Sequence, residues 1–229
     1  LVEGFNCAAV DLFDTDNARN VLAAFGRAYG KLPALGADLT AEQKRFLDEA
    51  VRGLAQDGQI ISVRLALFAQ MMQNRPWKAL SLWEMGGTEG VGVTFLEETF
   101  CDALAPLEHR RHEQAARAVL AALLPEQGSE IKGRMRSTDE LLAVSGYSQR
   151  PAEFHALLRI LDRDLRLITP TEPDETAQDQ SALADGDAGY YQLTHDYLVH
   201  VLRRWLIRKQ KETRRGRAML RLAEQAELW

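Results

Sequence analysis

Few residues in this sequence stand in a pattern that performs chemistry. The clearest is Tyr190-Tyr-Gln-Leu-Thr-His195-Asp196-Tyr-Leu-Val199. Strand-like alternation ends there and helical spacing begins. Thr194 is placed to cap the new helix, His195 to open it, and Asp196 to complement the positive end of the helix dipole. A neutral imidazole beside free backbone N–H groups can donate to a phosphate oxygen. On spacing alone, an exposed first-turn histidine is the simpler reading.

The remaining constellations are weaker. Glu108-His109-Arg-Arg-His112-Glu113 offers imidazoles at i, i+3, a spacing that chelates a metal when further ligands converge. Two arginines intervene and no cysteine is near, so a solvated helix face is expected and no metal ligand is assigned. Gly26 to Leu32 lacks both the spacing and the hydroxyl of a Walker-type phosphate loop. The glycine-rich stretch Gly86 to Gly92 reads as a flexible joint between helices before it reads as an anion cradle. Cys7-Ala-Ala-Val followed by Asp11 and Asp14 is a faint echo of the acidic end of a Walker strand, but no lysine loop accompanies it. Cys101 reads as a small core residue. His155 and His200 lie beside helical apolar positions, where packing or surface roles suffice. No catalytic residue is named, and no cofactor is expected for this chain alone.

These residues need elements to hold them. The chain has 229 residues, 46% apolar and 27% charged, with net charge −5. That is a folded, soluble composition with no general attraction to nucleic acid or anionic lipid. Two distant cysteines fit a reducing, cytoplasmic setting. No apolar run is long enough to span a bilayer. A start at Leu1 and a stop at Trp229 within a helical pattern read as a segment of something longer.

Apolar spacing is helical almost throughout. Asp14 to Asp16 can cap a helix through Val21, Leu22 and Phe25 that ends at Gly30 and Pro33. Thr40-Ala-Glu-Gln43 is a capping box for a helix through Leu47 and Leu54, stopped by Gly58. Val63 to Met72 predicts a buried helix ended by Pro76, and His109 to Leu124 predicts a further one. Ser137-Thr-Asp-Glu140 is a second capping box, with Gly146 as the stop, and Pro151 opens the next helix. Arg166-Leu-Ile-Thr169, bounded by Pro170, and Tyr190 to Thr194 predict two short strands. Between them, Thr171 to Gly189 carries six acids and no base and predicts a solvated hairpin loop.

Helix, helix, helix, strand, long loop, strand is the element order of a winged helix, here over about residues 107–194. The expected fold is therefore mainly α. A helical domain spans 1–104, a winged-helix domain with a small β-hairpin spans 105–200, and a long basic C-terminal helix spans 201–229. Within that helix, Arg203 to Arg221 holds nine Lys or Arg against Glu212 alone. A solvated face is the first reading and an intramolecular acidic partner the second.

With its flanking stretches, the His195 segment resembles the Met-His-Asp signature closing the winged helix of signal-transduction ATPases with numerous domains, the STAND class. Val63 to Ala69, Gly86 to Phe100, Leu165 to Thr171 and the basic run Arg208 to Arg217 are similar to a bacterial multidomain branch of that class. The resemblance implies a switch. An upstream ATPase core binds ATP or ADP with Mg²⁺, the helical domain lies over the nucleotide, and the winged helix closes on ADP. It implies that His195 contacts the β-phosphate and Asp196 supports the helix start. It further implies partners in the same chain, the core and C-terminal modules, and self-assembly on exchange to ATP. The class's Gly-x-Pro signature has no counterpart, since Gly58 to Val63 lacks proline, and the Walker residues are absent, so this segment is not expected to act as an enzyme.

Two other readings stand beside this one. A scaffold for protein–protein interaction or oligomerisation would give His195 no nucleotide role. A DNA-reading winged helix would need a basic recognition helix. Pro151 to Leu165 instead balances Arg159 and Arg163 against Glu153, Asp162 and Asp164.

Overall fold

A computed structural model of the chain describes residues 12–125, 134–171 and 189–226. Among these residues the protein is mainly helical with small antiparallel sheets. It divides into two compact units, one through Gly92 and one from Val93.

The first unit opens with strand β1 (Phe13–Asp14) and helix α1 (Thr15–Ala28). Asp14 caps α1 by accepting from the Asn17 N–H at 2.6 Å. Helix α2 (Ala41–Leu54) begins at the expected capping box, with Thr40 and Gln43 each accepting from the other's backbone. Gly58 does not stop α2. The helix ends at Leu54, and Gly58 follows Asp57 in a tight turn where both residues have positive φ. The turn brings strand β2 (Gln59–Ile60) antiparallel onto β1. Helix α3 (Ser62–Met71) is the predicted buried element, although Val63 is exposed at one end. Short helix α4 (Ala79–Glu84) follows, and helix α5 (Gly87–Phe100) begins in this unit and continues into the second. Leu22, Phe46, Leu65, Phe68, Met72 and Trp77 form the core. Trp77 satisfies its indole N–H on the Met72 carbonyl at 3.0 Å.

The second unit continues with α6 (Leu107–Arg111) and α7 (Glu113–Ala122). The single helix expected over 109–124 is thus broken at His112. Strand β3 (Arg136–Ser137) leads directly into α8 (Thr138–Ser145), whose capping box joins Ser137 and Glu140. Gly146 ends α8 at φ 76°, and Pro151 opens α9 (Pro151–Arg159). A π-helical turn over Ile160–Asp164 extends α9. Strands β4 (Ile168–Thr171) and β5 (Tyr190–Leu193) complete a sheet of order β3-β5-β4 in which both pairings are antiparallel. Pro170 lies inside β4, opposite Tyr191, instead of bounding it. An edge strand tolerates proline because one side of its backbone has no ladder to feed. The acidic stretch at 172–188 lies outside the described residues.

The basic region at the C-terminal end is two helices where the sequence reads as one. Helix α10 (Tyr197–Glu212) stops at Thr213, which turns to extended backbone, and α11 (Arg214–Ala226) follows. The Thr213 hydroxyl accepts from the Gly216 N–H at 2.9 Å and so starts the second helix. A Cβ at Gly216 would collide with the Gln210 carbonyl, so the joint needs glycine there.

Candidate functional site

His195 sits between the last strand of the three-stranded sheet and α10, half-buried. Its Nδ1 accepts from the Tyr197 N–H at 3.1 Å, and its carbonyl accepts from the Leu198 N–H at 3.0 Å. The histidine itself therefore does the work of a cap. Thr194 does not cap the helix. Its N–H pairs with the Leu167 carbonyl at 3.1 Å, and its hydroxyl is buried without a hydrogen-bond partner. Asp196 is exposed at the first position and makes no side-chain cap bond, although its carbonyl accepts from Val199.

This arrangement decides what the imidazole can offer. With Nδ1 accepting, the neutral ring must carry its proton on Nε2. The N–H groups of Tyr197, Leu198 and Val199 are already satisfied, so they are not free to cradle an anion as the sequence pattern suggested. The donor the ring presents is Nε2–H alone.

Lys209 on α10 is only 8% exposed and meets Glu97 of α5 at 2.7 Å and Glu212 at 3.1 Å. Arg208 stands 3.9 Å from the same Glu97. The basic run thus has an internal acidic partner. Burial disfavours the Lys209 ammonium, yet its hydrogen bonds to Glu97 and Glu212 hold its pKa above the ordinary lysine value. Burial, with Glu113 and Glu97 nearby, pushes the Cys101 thiol up to about 12. A thiol held protonated is a poor nucleophile.

His112 is fully buried, which corrects the expectation of a solvated face. Its Nδ1 lies 2.8 Å from the Tyr147 hydroxyl, and the two rings meet edge to face. Tyr147 and Glu97 escaped sequence reading because nothing in their spacing announces a partner so distant in the chain, whereas Lys209 lies in the basic run for which an intramolecular acidic partner is the second reading. His109 lies 6.2 Å from the Phe100 ring, and His155 and His200 are exposed. Among the described residues no group of His, Cys, Asp or Glu gathers as a metal site. Cys7 and Asp11 lie outside the described residues.

Gly86 and Gly87 both adopt left-handed backbone, at φ 84° and 79°, where α4 gives way to α5. The Thr88 hydroxyl donates to the Gly53 carbonyl at 3.1 Å, and a Cβ on Gly53 would fall 2.6 Å from that hydroxyl oxygen. A cleft of about 460 Å³ lies beside this joint, lined by Glu49, Trp83 and Thr88 among others. Gly53 serves close helix packing, Gly86 and Gly87 serve the left-handed turn between helices, and the Glu49 carboxylate sets the cleft against an anion.

Comparison of the chain with protein-family models, curated proteins and solved structures finds no match.

Proposed function

We propose that this chain is the regulatory part of a STAND-type nucleotide switch. It closes over ADP held by an ATPase core and couples the nucleotide state to downstream modules. The observation that carries the reading is the 3.1 Å hydrogen bond from the Tyr197 N–H to His195 Nδ1, which leaves the Nε2–H of the neutral ring to donate. Support also comes from the run of elements from α7 to β5. Helix, strand, two helices and two strands with sheet order β3-β5-β4 is the arrangement we read as a winged helix. In this reading 1–104 is the lid, 105–200 the winged helix and 201–229 the coupling segment. Asp196 supports the helix start through its carbonyl.

The test is ADP calorimetry on a protein that carries this chain behind its ATPase core. His195→Ala is expected to lose about 1–3 kcal/mol, the worth of a hydrogen bond to a charged group. Unchanged affinity and unchanged nucleotide exchange would replace the switch with the scaffold reading. The scaffold reading has its own support in α11, where Met219 and Leu222 are 61% and 66% exposed.

A further inference from the structure

We propose that the cleft formed by α9, its π-helical turn and β5 binds a small phosphorylated polyol. The cleft holds about 370 Å³ and is lined by His155, Leu158, Arg159, Asp162, Arg163 and Tyr191. That volume lies within the range of small-molecule pockets. His195 is not part of it, so the inference stands apart from the nucleotide switch.

The side chains of His155, Arg159, Asp162 and Arg163 make no hydrogen bond or ion pair with any described residue. Other arginines of this unit are engaged, Arg136 with Glu140 at 3.0 Å and Arg150 with Glu153 at 3.2 Å. Two guanidinium groups gathered in one cleft, with no carboxylate of a described residue within pairing distance, have donors to offer a ligand. His155, Arg159 and Arg163 follow one another at four-residue intervals, which sets them along one stripe of the helix. The π turn lies within that stripe, and the Leu165 N–H reaches back to the Ile160 carbonyl at 2.9 Å. Such wide turns cost helix stability and recur at functional sites. This one keeps Ile160, Leu161 and Leu165 buried while leaving Asp162 half-buried in the cleft lining.

The donor set selects the ligand. Paired guanidinium forks fit a phosphate dianion, with the imidazole as a further donor. The Asp162 carboxylate only accepts, so it repels a bare anion and suits a hydroxyl. Phosphate and hydroxyl groups on one small molecule satisfy both demands. A long polyanion would need a continuous basic track, and Glu153 and Asp164 interrupt it on the same helix.

The experiment titrates the 229-residue chain with ribose 5-phosphate, ribose, inorganic phosphate and a short DNA duplex. The His155 ring and arginine Nε resonances report binding. Ribose 5-phosphate is expected to saturate these resonances at millimolar concentration, inorganic phosphate to bind more weakly, and ribose not at all. Arg159→Gln and Arg163→Gln should each weaken the sugar phosphate by about tenfold or more. Asp162→Asn should tighten inorganic phosphate while narrowing its gap to the sugar phosphate, and a gain of phosphate binding is a change that mere loss of structure would not produce. Silent resonances with both phosphates, or binding unaltered in Arg159→Gln, would overturn the proposal. Tighter binding of the duplex through the same resonances would also overturn it, in favour of a nucleic-acid surface.

Discussion

What a histidine offers depends on which ring nitrogen is already engaged. At His195 the Tyr197 N–H occupies Nδ1 and leaves a donor at Nε2. At His112 the argument runs the other way. Nε2 is buried with no partner, and a bare lone pair there costs less than an orphaned N–H. The proton therefore belongs on Nδ1, which donates to the Tyr147 oxygen, and the Tyr147 hydroxyl donates on to the Arg111 carbonyl at 3.4 Å. Burial first, then the nearby Arg111 charge, holds the His112 pKa below the ordinary histidine value, against the pull of Glu153 and Glu108. The unfolded chain takes up a proton near its ordinary value of about 6.5 while the folded state resists it, so stability is lost as pH falls through that value. The urea midpoint should drop between about pH 7.5 and about pH 5.5, and His112→Gln should flatten that drop. Cys101 should stay unalkylated in the folded chain near pH 8, as mass spectrometry would show, because its thiol titrates at about 12. The sequence pattern around His112 misled because charged neighbours describe a helix face only while the helix continues, and here it breaks at that residue.

Those helix ends whose causes are local were legible. Asp14, the Thr40/Gln43 and Ser137/Glu140 boxes, Gly146 and Pro151 all act within a few residues, and each stands where its type predicts. Ser137→Ala should cost about 1 kcal/mol, read from urea unfolding, as removal of a cap does elsewhere. The two-residue strands β1, β2 and β3 were not legible. Their existence depends on partners far along the chain, and two residues carry no alternation. The register inside β4 was missed for a related reason, since proline excludes a strand only where both edges are paired. Helix contacts that rest on a missing side chain are equally silent in sequence. Gly53→Ala forces the Thr88 hydroxyl out of place and should destabilise the protein by about 1–3 kcal/mol, the usual penalty of overpacking, which thermal or urea melts would measure.

Across the whole chain, the site was legible as a place and not as a geometry. The strand-to-helix passage at His195 follows from alternation giving way to helical spacing, whereas the choice of histidine over Thr194 as the cap depends on torsions that spacing does not encode. The basic run was legible as charge, but its engagement by Glu97 was not, because α5 and α10 lie far apart in sequence. Lys209→Met would leave Glu97, 19% exposed, without its short partner, and a loss of about 1–3 kcal/mol is expected in urea unfolding. No helix among the described residues is long and apolar enough to cross a membrane. The break at Thr213 bears on mechanics. An unbroken helix is a shaft that carries torque from end to end, while a jointed one dissipates twist in the torsions of its joint. A twist of α10 would thus be taken up at the Thr213 joint before it reached α11.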